Sequence, residues 1–589
     1  MYKKEIVGIL EEIGTLLELK GENTFKIRAY QNGARAIESL DEDLGTVIDE
    51  QRLGEVPGIG KALVEKVETL FRTGELEYYD KLKASIPPGL VEMLEIPGFG
   101  PKKIKKVHEE LGIDTMEGLR SACEAGQVRA LSGFGAKSEE KILQGMANLE
   151  AYAKRHLWWK VKLVAEPIRD SLAKLEGVAE AAIAGSFRRG RETVGDIDFI
   201  VGAKNPAPVM DWFVALPEVR EVTAHGSTKS SVRFDDGLQA DLRVVPPEQF
   251  PFALHHFTGS KDHNVKMRQR ALERGWSLSE WGLFEKDAED QAGASGGKGR
   301  KLAVQGVSSE ADLFKALDLA FVPPELREGR DEIEAAEAGK LPELVPMDAL
   351  RGVFHNHTTA SDGSASLEEM AAAAAERGWT YLGIADHSKA SFQANGLDEE
   401  RLRAQLQAIR EFNESGRSPV RVFAGSEVDI LKDGSLDFDA DLLNELDYVV
   451  LSVHGSMSGM SEEAMTDRII RALRTPLKVR KMLGHPTGRL LLRREGYAVD
   501  LRKVIEAAAE ENAVIELNAN PSRLDLDWRL WKFAKEAGVL CSINPDAHAP
   551  EHFDFVEAGL RAARKGWLTA SDILNTRELP AIEDWLKGS

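Results

Sequence analysis

The stretch 185–198, GSFRRGRETVGDID, holds residues whose types and spacing suit chemistry on phosphate. Asp196 and Asp198 stand at i and i+2 ahead of the apolar Phe199, Ile200 and Val201. On a strand both carboxylates project from one face and could hold a pair of divalent metals. In-line phosphoryl displacement between two metals wants a third carboxylate near the attacking hydroxyl. Asp241 is the candidate, because the run 239–245 alternates like a strand able to pair beside the first. Gly185 and Ser186 follow the apolar run 181–184 and turn the backbone so that N–H groups and a hydroxyl can press against a phosphate. Arg188 and Arg189 add forked cationic donors suited to a triphosphate. A lone DxD also fits a polar strand end; the GS turn before it and the aspartate after it favour nucleotidyl transfer.

A second set lies in the C-terminal part. His355 and His357 form an HxH after an apolar run, Asp362 comes five residues on, and Asp386-His387 ends the next run. Glu427, His454 and His485 each follow later runs, and Asp546 and His548 form a DxH after the last. A lone buried histidine is usually a satisfied core residue. Six of the chain's thirteen histidines at successive strand ends, with acidic partners, point instead to nitrogen and carboxylate ligands for zinc, manganese or iron.

The elements that must place these sets can be read in order. The apolar runs 352–354, 381–384, 420–423, 448–453, 514–517 and 539–543 alternate with helical patterns, a βα rhythm that predicts a parallel sheet closed into a barrel with its polar strand ends gathered on one face. The stretch 285–300 is polar and glycine-rich and reads as a flexible loop; 328–347, rich in alanine, glutamate and proline, reads as a short helix and linker. Before residue 160 the chain is helical in pattern and repeats one figure three times, at Gly58-Ile59-Gly60, Gly98-Phe99-Gly100 and Gly133-Phe134-Gly135. Two glycines around an apolar residue before a helix make a helix-hairpin-helix, whose next helix offers N-terminal amides to a DNA phosphate. Lys102, Lys103, Lys105 and Lys106 follow the second copy.

At 589 residues the chain is too long for one core, and about 150 residues per domain suggests several units. A net charge of −21 excludes a uniformly basic surface and leaves DNA contact to local sites, with a salt-sensitive affinity. Two distant cysteines, Cys123 and Cys541, rule out a disulfide framework and fit a reducing compartment. No signal-peptide core and no membrane-length apolar run are read, so the expected location is cytoplasmic.

The repeated glycine figure, GSFRRG with GDID, Asp241 and the turn Phe257-Thr258-Gly259-Ser260 occur in the order found in the family X DNA polymerases, the DNA polymerase beta group, and the resemblance spans residues 1–327. It implies a palm with Asp196, Asp198 and Asp241 as catalytic metal ligands for Mg2+, for which Mn2+ can substitute. It also implies triphosphate contacts at Gly185, Ser186, Arg189 and Gly195, and a nucleotide and template pocket lined by Phe257, Gly259, Asn264 and Arg268. The histidine set resembles the PHP domain, the polymerase and histidinol phosphatase family, over residues 348–575. That resemblance implies a trinuclear site of Mn2+ or Zn2+ on His355, His357, Asp362, His387, Glu427, His454, His485, Asp546 and His548, with Glu427 catalytic.

The fold class is therefore multidomain α+β and α/β. Residues 1–80 form a lyase-like helical domain, 81–160 fingers with helix-hairpin-helix motifs, 161–250 the nucleotidyltransferase palm, 251–327 the thumb, 328–347 a linker and 348–589 a distorted (β/α) barrel of PHP type. The joint resemblance implies a monomeric repair enzyme that fills gaps on gapped or nicked primer-template DNA from dNTPs. It also implies a metal-dependent 3'-5' exonuclease, with cleavage at abasic sites as a further activity open to it. Three positions stand out. His256 replaces a tyrosine of vertebrate members and Lys261 an aspartate, which leaves discrimination between ribose and deoxyribose open; Lys66 falls where the lyase domain places its Schiff-base lysine, a position equally natural for an exposed helical lysine. The competing readings are a DNA-binding scaffold with an inert palm and a small-molecule phosphatase.

Overall fold

In the computed structural model, which describes residues 3–38, 40, 44–96, 98–152, 155–285, 306–457 and 459–588, each glycine figure runs into a helix: Lys61–Thr73, Pro101–Leu111 and Ala136–Tyr152. Gly58, Gly98 and Gly133 take left-handed φ of 98°, 76° and 83°, where a side chain would be strained. Ile59 and Phe99 plug inward and are buried, and the half-buried Phe134 meets Phe99 edge-on at 6.5 Å. The figures belong to a helical unit, residues 1–153, with its own core from Ile6 to Met146. Residues 154–589 form a second compact unit. Of the expected loop 285–300, Glu285 ends the strand Gly282–Glu285 and the rest lies outside the described residues, as does Pro97 of the second figure.

The second unit begins with a five-stranded palm sheet of β1 (Val178–Ile183), β2 (Asp196–Ala203), β3 (Val219–His225), β4 (Lys229–Phe234) and β5 (Gln239–Val245), in the order β1-β2-β5-β4-β3. Only β2 and β5 run parallel. The helix Trp158–Leu172 covers one face with Trp158, Val161, Ala165, Ile168 and Leu172. Next come the helices Phe250–Thr258 and Lys261–Glu273 and the hairpin Trp276–Ser279 with Gly282–Glu285.

The stretch read as a short helix and linker holds that helix and is packed. Ile333 and Ala336 of the helix Glu332–Glu337, with Leu344, share a core with Met267, Leu313 and Phe314. The fully buried Glu332 carboxylate lies 2.9 Å from His263 Nδ1. Alanine and glutamate dominate the composition, but a few apolar residues on one side suffice to dock the segment.

The barrel consists of β6 (Gly352–Val353), β7 (Tyr381–Ile384), β8 (Arg421–Ala424), β9 (Glu427–Asp429), β10 (Tyr448–Ser452), β11 (Arg480–Leu483), β12 (Val514–Asn518) and β13 (Cys541–Asn544), all paired in parallel. β8 and β9 are one stave broken at Gly425 and Ser426. A Cβ on Gly425 would come 2.4 Å from the Tyr448 ring, so the break is a glycine where that ring crosses. Bridges His387–Glu427 and Asn356–Ala547 join the two sheets and close seven staves. Helices on the outside start on side-chain caps at Ser366, Asp398, Ser461 and Asp500. One continuous apolar core runs from Trp158 of the palm through to Ile573 of the barrel.

Candidate active sites

In the palm, β2 and β5 set Asp198 directly opposite Asp241, with Asp196 two residues earlier on β2. Asp196 is exposed, Asp198 half-buried and Asp241 buried. Gly185 has φ 63°, and a Cβ there would lie 2.6 Å from Asp198 Oδ2, so only glycine lets the short helix Gly185–Arg188 approach the carboxylates. A cavity of about 420 Å³ opens beside them. Gly185, Ser186, Arg189, Phe257, Gly259, Asn264 and Arg268 line it together with Asp196, Asp198, His256 and Lys261; Gly195 and Asp241 do not. Asn264 donates to the His256 carbonyl at 2.7 Å, and Arg243 lies over the Phe257 ring at 4.3 Å.

The electrostatics of the three carboxylates differ. Burial, together with the charges of Asp196 and Asp241, pushes Asp198 up to about 7. Burial also works to raise Asp241, but Lys229, 2.7 Å away, and Ser231 hydrogen-bond it and hold it below the usual range. A carboxylate forced toward protonation by two neighbours of the same charge, beside an open cavity, fits a site for added cations. Arg188 does not line the cavity; it donates to Thr258 Oγ1 at 2.7 Å and pairs with Glu310 at 2.6 Å.

The barrel brings all nine sequence candidates to one end. Glu427 lies at the centre: its oxygens are 3.3 Å from His355 Nε2, 3.7 Å from His357 Nε2, 2.9 Å from His387 Nδ1, 3.3 Å from His454 Nε2 and 2.8 Å from His485 Nε2. Asp546 Oδ1 is 3.3 Å from His357 Nε2, and Asp362 Oδ2 is 3.3 Å from His548 Nε2. Ligand atoms converge within 4.8 Å in three groups: His357, Asp362, His387 and His548; His355, His357 and Glu427; His387, Glu427 and His454. The palm aspartates do not converge to that degree.

Burial opposes ionisation of Glu427, yet His454, His355 and His387 hold it well below the carboxylate range. Burial depresses His454 in turn, but Glu427 and Asp429 drive it up to about 10. His357, buried and flanked by His548 and His387, falls to about 4. His355 Nε2, both nitrogens of His357, His387 Nδ1, His485 Nδ1 and Glu427 Oε2 are buried without a hydrogen-bond partner. Orphaned buried donors in such number fit resident metal ions, whose binding would displace the protons the cluster shares.

Sequence reasoning missed the residues that orient these ligands. Glu516 accepts from His355 Nδ1 at 2.7 Å and from the His485 amide at 2.8 Å, and Asp429 lies 3.2 Å from His454 Nδ1. Arg523 Nε is 3.6 Å from Asp546 Oδ2. The signal was present: Glu516 is a charge inside the apolar run 514–517, and Asp429 sits at i+2 from Glu427. Lys66 is half-buried, donates to the Ala62 carbonyl at 3.0 Å and lies 5.2 Å from the Tyr78 ring.

Comparison with known proteins now bears on both sites. Residues 160–217 match the DNA polymerase beta palm family and 253–328 the DNA polymerase beta thumb. Residues 1–76 match a helix-hairpin-helix domain, 90–147 a SAM-like helix-hairpin-helix tandem and 354–520 the PHP domain. The DNA polymerase/3'-5' exonuclease PolX of Bacillus subtilis (strain 168) is 40% identical over 589 residues, all of both chains. The chain belongs to the family X DNA polymerases that carry a PHP domain. Another relative is DNA polymerase lambda of Rattus norvegicus, 25% identical over 346 residues and 56% of each chain. A probable phosphatase of Thermoanaerobacter sp. (strain X514) is 28% identical over 243 residues, 40% of this chain and 93% of its own. Within this family the palm and the PHP barrel share one chain, as the two donor sets described above do. No helix among the described residues is long and apolar enough to cross a membrane.

Proposed function

We propose that this chain extends primer ends on gapped or nicked DNA with dNTPs in its palm, removes 3' nucleotides in its barrel, and serves base excision repair as a cytoplasmic monomer. The observation that carries the proposal is the coexistence of two separate donor sets in one chain whose full length aligns with a DNA polymerase/3'-5' exonuclease.

In the palm, Asp196, Asp198 and Asp241 would hold Mg2+ or Mn2+. Divalent cations held there would lower the pKa of the primer 3'-hydroxyl and offset the triphosphate charge. The protein's own part is to hold the triphosphate on Gly185, Ser186, Arg189 and the Gly195 turn, and to place the base among Phe257, Gly259, Asn264 and Arg268. Asp241 must also leave Lys229 to take up its role. In the barrel the nine ligands would hold Mn2+ or Zn2+, which supply an activated water nucleophile. Glu427 would be the central ligand, Glu516 and Asp429 fix the His355 and His454 rings, and Arg523 pairs with Asp546. The helix-hairpin-helix figures grip the DNA backbone without reading bases.

The test is a labelled one-nucleotide gap incubated with the protein in Mg2+ or Mn2+, with and without dNTPs, beside an open primer, an abasic-site duplex and histidinol phosphate. Extension favouring the gap and falling steeply with salt, together with shortening from the 3' end, is the expected result. Phosphate release from histidinol phosphate with no nucleotide released from DNA would instead make the barrel a small-molecule phosphatase.

A further inference from the structure

Lys565 ends the helix Val556–Lys565 on the outside of the barrel, and it points away from the barrel's metal ligands into the polymerase half. It is 1% exposed, donates to the carbonyls of Arg189 (3.0 Å) and Glu325 (3.2 Å), and makes a short ion pair with Glu328. The same Glu328 Oε1 accepts from Arg189 Nε at 3.1 Å, and its Oε2 lies 3.5 Å from Arg191. Arg189 Nη1 donates to the Thr258 carbonyl at 2.6 Å, so the guanidinium is fixed at two of its nitrogens beside the cavity it lines. Arg564, the neighbour of Lys565, pairs with Glu325 at 2.7 Å and ties the same corner down.

We propose that this barrel helix positions Arg189 through Lys565 and Glu328, so that the affinity of the palm for a nucleoside triphosphate is set partly by a residue of the barrel. The inference rests on the reading of Arg189 as a triphosphate contact. A single carboxylate shared by three cations binds each less strongly than it would bind two. Lys565 both anchors Glu328 from behind and keeps it from drawing Arg189 and Arg191 fully to itself. Without Lys565 the carboxylate turns toward Arg189 and competes with the triphosphate for it. Lys565 touches neither substrate nor metal; it is a positioning residue.

The experiment uses the full chain and measures dNTP KM and kcat on gapped DNA for Arg189→Ala, Lys565→Met and the double variant, with exonuclease rate measured on each preparation. Lys565→Met should raise KM about tenfold, the worth of roughly one charge-assisted hydrogen bond, with kcat and exonuclease rate within about twofold of the parent. It should add nothing to KM in the Arg189→Ala background, because the residue it acts through is gone. Arg189→Ala at the parental KM would sink the underlying reading. A raised KM in Arg189→Ala with a parental KM in Lys565→Met, or an undiminished Lys565→Met effect in the double variant, would overturn the strut alone. If Lys565→Met also loses exonuclease activity, Glu328→Gln decides: its KM must move, and a parental value overturns the proposal.

Discussion

The palm and the barrel solve the problem of holding cations in opposite ways. The palm spreads three carboxylates over two strands, two of them lining an open cavity, has no histidine among its candidate ligands, and leaves Asp198 raised to about 7 while Lys229 occupies Asp241. The barrel packs six histidines and two further carboxylates around an almost fully buried Glu427, with Glu516 and Asp429 locking the rings. The first is an arrangement to be completed when substrate brings its own charge and cations. The second fits ions held inside the protein, since buried ring nitrogens such as both of His357 lack a hydrogen-bond partner. Burial and ligand type, rather than ligand number alone, distinguish the two sets.

The sharpest break of this comparison is Asp198→Ala. It removes the ligand facing Asp241, and primer extension should fall by about 10³-fold or more while exonuclease rate stays within about twofold, in matched assays on one substrate. Loss of both activities would show that the sites are not independent. Glu427→Ala should act in the other direction, with nuclease activity down about 10²–10³-fold and extension in Mg2+ retained. Elemental analysis of that variant should find the tightly held metal depleted; a parental metal content would mean that the carboxylate does not bridge the ions.

Smaller effects test finer points. Glu516→Gln leaves every ligand in place but weakens the hold on His355, so metal affinity should drop about 10- to 100-fold, read by chelator competition, with polymerisation untouched. Lys229→Ala frees Asp241 for cations, and the Mg2+ concentration giving half-maximal extension should fall about two- to threefold. An unchanged Mg2+ titration would show that Lys229 yields without a measurable contest.

Much of this was legible in the sequence where chemistry coincided with a strand end. The i, i+2 spacing of Asp196 and Asp198 placed them on one face, and β5 carries Asp241 in register with Asp198. The barrel followed from apolar runs ending in histidine or acid. The strands β3 and β4 went unread because the exposed edge position of β3 and basic residues such as Lys229 and Arg233 in β4 blur the alternation. Sequence cannot say which of two adjacent arginines lines the cavity and which pairs with Glu310; the structure puts Arg189 in the first place and Arg188 in the second. The short helix in 328–347 was legible but its docking was not, because composition is averaged whereas docking rests on residues such as Ile333, Ala336 and Leu344.

The apolar core that passes from Trp158 to Ile573 without a break has a consequence for how the molecule comes apart. Trp159 meets Phe555 edge-on at 5.5 Å and Lys162 pairs with Glu557, so cutting the chain ahead of residue 348 strips the palm of its cover and leaves aromatic surface wet. Palm and barrel should therefore melt in one calorimetric transition and share the slowest amide exchange, while the helical unit, with a core of its own, melts in another. A lineage that stopped using the barrel's chemistry would lose its histidines long before it could lose its walls.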